Sequence, residues 1–287
     1  YFELLRGLNM KTVRSFYKDL PFNYTSDKDF YTKNITQLNQ IHEYKDLHIL
    51  LSNNNPTQKK IKSIIEFGCG TGWLSNTISY YYQKNVKGID FTEKSIQKSR
   101  EVAEALNNNI NFELADIFDY EDENKYDLVI SLGVLHHTKD CKGAFKKISK
   151  YVKKGGYLYV GLYHLYGRRP MLNFLQGYNR WHGKESALKL FSVMNPNMYD
   201  SLFCKSWFND QVLHPHETQH TLSEVSEWIN EIGFKLKSTS INKYKNLNQF
   251  SKDKLDNLER EKEISSYEKN VNKLEFDPGY FTICAQK

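Results

Sequence analysis

The sequence predicts a doubly wound α/β fold. Apolar runs of strand length alternate with helical stretches from about residue 61, the first run enters a helix through a glycine turn, and 287 residues suffice for one large α/β domain with elaborations. In order, residues 62–67 read as a strand, 71–83 as a helix, 85–90 as a second strand and 92–107 as a charged amphipathic helix. Residues 111–114 and 126–132 read as the third and fourth strands, 140–153 as a helix and 156–163 as the fifth strand. Strands separated by helices of this length call for a parallel sheet covered on both faces.

Composition narrows the class. Hydrophobic residues make up 39% of the chain, and 20 Tyr and 17 Phe supplement its core, as suits a soluble protein. No apolar run approaches the length needed to cross a bilayer, and the opening YFELLRGLNMKTVRSFY lacks the basic, apolar and small-residue series of a secretory signal. Cys69, Cys141, Cys204 and Cys284 stand apart, with no C-x-x-C pair. That is the usage of a reducing compartment, so a cytoplasmic protein without a membrane partner is expected. The net charge of +6 is spread through Asn- and Lys-rich segments, which makes nucleic acid an unexpected partner.

The stretch IIEFGCGTGWLS, residues 64–75, decides which doubly wound fold this is. Gly68, Gly70 and Gly72 let the backbone turn sharply and approach a ligand. Their spacing is G-x-G-x-G, not the G-x-G-x-x-G of a dinucleotide site, and no Gly-Lys-Ser/Thr follows as in a P-loop. With Glu66 just before the turn, the segment resembles motif I of the class I S-adenosylmethionine-dependent methyltransferases. Further residues match that family in order. Asp90 in KGIDFTEKSI, followed by Phe91, resembles the acid that takes both ribose hydroxyls. Asp116 in LADIF resembles the acid on the adenine amino group, with the Ile117 backbone at the ring edge. SLGVLHHTKD resembles motif IV, whose strand end at Ser131 and Leu132 lies beside the methionine portion. KKGGYLYVGLY resembles the turn and fifth strand, and residues 234–241 and 279–287 the sixth strand and the antiparallel seventh.

The resemblance covers about residues 60–163 and 221–287. It implies a seven-stranded, Rossmann-like sheet, S-adenosylmethionine as cofactor, S-adenosylhomocysteine as product, and no metal. The cofactor site it implies comprises Glu66, Gly68, Cys69, Gly70, Gly72, Asp90, Phe91, Asp116, Ile117, Ser131 and Leu132.

Three regions lie outside the core expected over 61–162 and 221–287. An N-terminal extension, 1–60, includes VRSFYKDLPFNYTSD at 13–27, expected over the cofactor mouth with Tyr17 and Tyr24 on the acceptor side. Residues 163–220 form a cap and 243–273 a charged helical insertion. Ligands of open α/β sheets bind outside the carboxyl ends of the strands, where the cap emerges, so the cap should select the acceptor. The sulfonium is already an activated methyl donor; the protein mainly aligns the groups, and a base is needed only if the nucleophile carries a proton. His136 and His137 are the first candidates for that base, or else a pair packing the strand–loop junction. His137 is favoured because the family motif often keeps a histidine there. His164, His214 and Glu217 follow in rank. Arg168 and Arg169 are suited to a substrate carboxylate or phosphate. Tyr163, Tyr166, Trp181 and Trp207 are suited instead to a cationic amine, so the two readings imply acceptors of opposite charge.

The stretch HPHETQHTLSEV, residues 214–225, also contains a literal H-E-x-x-H at His216, Glu217 and His220, the zinc signature of a metalloprotease when helical. Thr221 with Glu224 reads as a capping box ahead of the helically spaced Leu222, Val225, Trp228, Ile229 and Ile232. The histidines therefore precede the helix, Pro215 biases His214 towards extended backbone, and Trp207, Asp210, His214, His216 and Glu217 read as members of a cap loop that folds back over the reacting methyl. The expected function is methyl transfer to an oxygen or nitrogen of a small-molecule acceptor. A tRNA or protein substrate is the second expectation, weakened because no Asn/Asp-Pro-Pro-aromatic tetrapeptide follows the fourth strand. A non-catalytic cofactor-binding module is the third.

Overall fold

In the computed structural model, which describes residues 13, 15–18, 20–52, 60–198, 200–249 and 251–287, seven strands form one sheet. They are β1 (Ser63–Phe67), β2 (Asn85–Asp90), β3 (Asn111–Leu114), β4 (Tyr126–Leu132), β5 (Val152–Tyr163), β6 (Lys235–Thr239) and β7 (Tyr280–Gln286). The described helices are α1 (Lys28–Gln37), α2 (Lys45–Ser52), α3 (Trp73–Tyr82), α4 (Glu93–Ala105), α5 (Cys141–Ser149), α6 (Leu165–Met194), α7 (Ser201–Leu213), α8 (Leu222–Glu231) and α9 (Lys252–Tyr267). The strand order is β3-β2-β1-β4-β5-β7-β6, parallel from β3 through β5, with β7 antiparallel to both its neighbours. The chain moves outward from β1 to β3 and then returns to β4 on the other side of β1. That reversal opens a crevice above the carboxyl ends of β1 and β4, where sheets of this class bind ligands.

Alternation along the strands builds a core on each face. Ile64, Leu128 and Ile130 pack with Leu74 and Ile78 of α3 and Leu47 of α2. Ile65, Phe67 and Val129 pack with Phe145 of α5 and with Val225 and Trp228 of α8. Two helices are shorter than the sequence pattern suggests. The α3 helix waits until Trp73, because Gly70 and Gly72 hold the turn at φ 52° and 79°. The α5 helix stops at Ser149, because Tyr126 N–H donates to the Tyr151 carbonyl at 2.7 Å and Val152 pairs with Tyr126 in the sheet.

The cap is a helical hairpin rather than a long loop. The α6 helix breaks at Gly183, and its two parts pack with α7 around Met171, Leu175, Phe191, Cys204 and Phe208. Trp207 and Asp210 therefore sit on a helix. Between β6 and β7, α9 runs into a π-helical turn at Glu268–Lys273 and lies along α6. In the N-terminal extension, whose residues 1–12, 14, 19 and 53–59 lie outside the described residues, Tyr31 and Ile35 of α1 pack on Val102 of α4. No described helix is long and apolar enough to cross a membrane.

His164, a candidate for catalysis, is a structural cap instead. Its Nδ1 accepts from Gly167 N–H at 3.1 Å, so its Nε2 carries the proton and donates to Glu259 Oε1 at 2.8 Å. The same oxygen accepts from Leu222 N–H at the head of α8, at 2.5 Å. One buried carboxylate of α9 thus joins the starts of α6 and α8. Glu259→Ala strands two buried donors and should lower the unfolding free energy by about 3 kcal/mol in a denaturant titration, Glu259→Gln by less. An alanine variant as stable as the wild type would show that this brace carries no weight.

Candidate active site

The glycine turn makes the floor of the site. Gly68 has φ 75°, and a Cβ there would lie 2.3 Å from a methyl of Val134, so neither its conformation nor its surroundings admit a side chain. Gly68 and Cys69 N–H both donate to the Ile89 carbonyl, at 2.7 and 2.9 Å. Asp90 then closes the turn: its Oδ2 accepts from Gly70 N–H at 2.9 Å and its Oδ1 from Thr92 N–H at 2.8 Å. Burial raises the Asp90 pKa, and these two backbone donors oppose the rise. Each carboxylate oxygen keeps a lone pair for a further donor.

A cavity of about 950 Å³, measured with its open mouth, rises from this turn. Gly68, Gly70, Asp90, Phe91, Asp116, Ile117 and Leu132 all line it, which gathers most of the cofactor residues expected from the sequence. The others stand behind the wall. Glu66 is buried beneath the turn, accepts from Ser75 O–H at 2.5 Å, and has its pKa pushed up to about 7 by burial. The Cys69 side chain packs with Ile96, Ala103 and Phe112, Gly72 caps α3, and Ser131 O–H donates to the Phe67 carbonyl inside the sheet.

Three distant segments add polar groups to the lining: Tyr17, His137 and Asp210. Tyr17 O–H donates to Asp210 Oδ1 at 2.5 Å and Gln211 Nε2–H to Oδ2 at 3.0 Å. Asp210 is 4% exposed, and burial raises its pKa. The His214 ring stacks on His137 with centroids 3.8 Å apart. One residue sets both rings. The His216 carbonyl accepts from His137 Nδ1 at 3.0 Å, which leaves a lone pair on His137 Nε2. The His216 N–H donates to His214 Nδ1 at 3.1 Å, which puts the His214 proton on Nε2. Neither Nε2 has a hydrogen-bond partner among the described residues. Burial lowers the pKa of His137 to about 4 and of His214 to about 3, so both are neutral at pH 7.

His137, Asp210 and His214 also bring three ligand-type atoms within 4.8 Å of one another. An ion on His214 Nε2 would require a proton on Nδ1, facing the His216 N–H that now donates there. The set therefore suits a hydrogen-bonding substrate better than a metal. The H-E-x-x-H segment is extended, as its capping box implied, and Thr221 accepts from Glu224 N–H at 3.1 Å. Its side chains diverge: His216 Nε2 donates to the Thr138 carbonyl, Glu217 binds Arg168, and His220 bridges Glu224 and Thr218.

Several expected acceptor-site residues turn out to be framework. Arg168 is fully buried, forks onto Glu217 at 2.7 and 3.0 Å, and also donates to the Gln211 side chain and carbonyl and to the Pro278 carbonyl. Its guanidinium lies 3.6 Å over the Tyr163 ring, whose hydroxyl accepts from Gln211. Arg168, Glu217 and Tyr163 thus satisfy one another and leave nothing for a substrate anion. His136 is fully buried between Tyr163 and His137, accepts from Tyr163 N–H through Nδ1, and does not line the cavity. Arg169 lines a separate groove between α6 and α9, Tyr166 faces Arg260, and Trp181 is 84% exposed. Trp207 donates to Asn23 and packs on Phe22, while Tyr24 lies under Lys94. Asp210, which the sequence places with Trp207 and His214 in a loop over the reacting methyl, stands instead on α7 and lines the cavity.

A methyltransferase-domain family model matches residues 58–263. A putative methyltransferase (235L) of Invertebrate iridescent virus 6 is 29% identical over 161 residues, covering 56% of this chain and 51% of that protein. Malonyl-acyl-carrier-protein O-methyltransferase 2 of Ilyobacter polytropus is 31% identical over 100 residues, 34% of this chain and 38% of that one. The chain thus spans about half, or less, of these relatives' lengths. Among solved structures, PKMT2 from Rickettsia typhi in complex with AdoHcy superposes with a TM-score of 0.56 at 15% identity, over 93% of this chain and 53% of that one. The plantazolicin methyltransferase BpumL in complex with SAH gives 0.51 at 16% identity, over 99% and 98%. These two likenesses concern the fold. The family match spans most of the sheet and the glycine turn with its acid at Asp90, and by it the chain belongs to the class I, Rossmann-like, S-adenosylmethionine-dependent methyltransferases.

Proposed function

We propose that this chain methylates a protic oxygen or nitrogen of a small-molecule acceptor. The observation that carries the reading is that one cavity joins the glycine turn and Asp90 to His137 and Asp210. Asp90 is suited to the ribose hydroxyls, Asp116 and Ile117 to the adenine, and the end of β4 to the methionine portion. S-adenosylmethionine supplies an activated methyl group there. The protein's own work is to align the nucleophile, exclude water and accept a proton. His137 is suited to the last task, with its Nδ1–H tied to a carbonyl and its Nε2 lone pair free. His214 Nε2–H supplies a donor beside it. Among the described residues no Lys or Arg lines the cavity, which weighs against a nucleic-acid acceptor. The free, buried state of Cys69, Cys141, Cys204 and Cys284 supports a cytoplasmic setting.

Three outcomes are expected. Calorimetry should find S-adenosylmethionine and S-adenosylhomocysteine bound, and Asp90→Ala should weaken both by about 2 kcal/mol, roughly thirtyfold in Kd; binding of NAD alone would overturn the reading. With methyl-labelled S-adenosylmethionine and a cell extract, label should enter the low-mass fraction, and His137→Gln should slow this about a hundredfold with cofactor affinity preserved. Label entering RNA or protein instead would exclude the small-molecule acceptor. The third outcome concerns pH. His137 and His214 have folded values of about 4 and 3 against an ordinary 6.5, so between those limits the unfolded chain binds more protons and stability rises with pH. Tm should fall as pH drops from 6.5 towards 4, and the double variant His137→Gln, His214→Gln should show a shallower fall. An unchanged slope would mean that these rings are not buried neutral.

A further inference from the structure

We infer that the methyl acceptor is an amine, held by its ammonium group against Asp210 and relieved of a proton by His137. This rests on the methyltransferase reading of the cavity and settles between the two acceptor charges that the sequence leaves open.

Among the described residues, the cavity wall contains the carboxylates of Asp90, Asp116 and Asp210 and no Lys or Arg. Asp90 and Asp116 lie at the end ascribed to the cofactor's sugar and base. Asp210 lines the same cavity beside His137 and His214, and its hydrogen-bond donors, Tyr17 and Gln211, are both neutral. The neighbouring guanidinium of Arg168 is already neutralised by bidentate pairing with Glu217. A buried carboxylate served only by neutral donors is costly, and a bound cation offsets that cost. A substrate carboxylate or phosphate in the same place would add repulsion to the desolvation. Tyr17 and Phe22 present aromatic surface along the cavity, which also favours a cation.

The second, independent feature is the buried, unpartnered Nε2 of His137, whose tautomer makes it an acceptor. An ammonium nitrogen has no lone pair until a proton leaves. In the step assigned here, one N–H proton passes to His137 Nε2, and the freed pair attacks the methyl carbon. The N–C bond forms as the C–S bond breaks, the sulfonium becomes a neutral thioether, and the product leaves as a methylated ammonium. The charge is conserved, since His137 ends protonated, and Asp210 faces a cation before and after transfer.

The rival occupant of Asp210 is the ammonium group of S-adenosylmethionine itself, and the test separates the two. Protein saturated with S-adenosylhomocysteine is titrated calorimetrically with phenethylamine, 2-phenylethanol and phenylacetate, probes of one shape and three charges. The amine should bind at least ~10-fold more tightly than the alcohol, with phenylacetate weakest. Asp210→Asn should remove the amine's advantage and leave S-adenosylhomocysteine affinity unchanged, which also shows that the variant is folded. An amine no better than the alcohol, or no measurable binding of any probe, overturns the inference. So does an Asp210→Asn variant that loses S-adenosylhomocysteine affinity in step with the amine, because that assigns the carboxylate to the cofactor. Failure of the wild type to bind S-adenosylhomocysteine at all would sink the methyltransferase reading itself.

Discussion

The buried guanidinium of Arg168 is the constraint on which the acceptor side of this molecule depends. It donates to the segment after α7 through Glu217, to α7 through Gln211 and to the turn before β7 through Pro278, while its face covers Tyr163 at the end of β5. A fully buried cation requires that its donors be met, and removing one partner of such a pair typically costs several kcal/mol. The cap is thereby held to the sheet by a charge that cannot be left unpaired. What an isolated reading offers as a substrate anchor is instead the bolt that sets the cap in place.

Fixing Glu217 also fixes its neighbour. His216 reaches the end of β4 through its side chain, on the Thr138 carbonyl, and addresses His137 and His214 through its carbonyl and N–H. Because a carbonyl only accepts and an N–H only donates, the two imidazoles receive opposite tautomers. The result is an acceptor nitrogen and a donor nitrogen side by side, both neutral and both unpaired, next to a buried carboxylate. Burial is costly for each of these groups by itself, as their displaced pKa values record. Such groups are retained where a ligand completes them.

The glycine-turn side of the cavity was largely legible in the sequence, for a reason of scale. The glycine turn, Asp90 and Asp116 each act within a few residues of a strand end, and backbone conformation there is dictated locally: φ values of 75°, 52° and 79° at Gly68, Gly70 and Gly72 need glycine whatever surrounds them. The Thr221 capping box and the H-E-x-x-H segment were decided in the same way, by whether the helix begins before or after the histidines. The α5 helix was overextended because its last residues have helical propensity but are taken by pairing with β4, a contact between segments.

By itself, then, the sequence determined the doubly wound sheet, the antiparallel last strand, the position of the crevice and the residues around its glycine turn. Only the tertiary structure decided the acceptor end. His164, Arg168 and Glu217 have the same chemical capacities whether they serve a substrate or the framework, and what distinguishes the cases is whether a partner from elsewhere in the chain already meets those capacities. Glu259 meets His164, Glu217 meets Arg168, and among the described residues no group meets the Nε2 of His137, which lines the cavity, or that of His136, which does not. Satisfaction of a buried polar group is a property of three-dimensional neighbours, separated here by as many as 193 residues along the chain, so no local pattern encodes it.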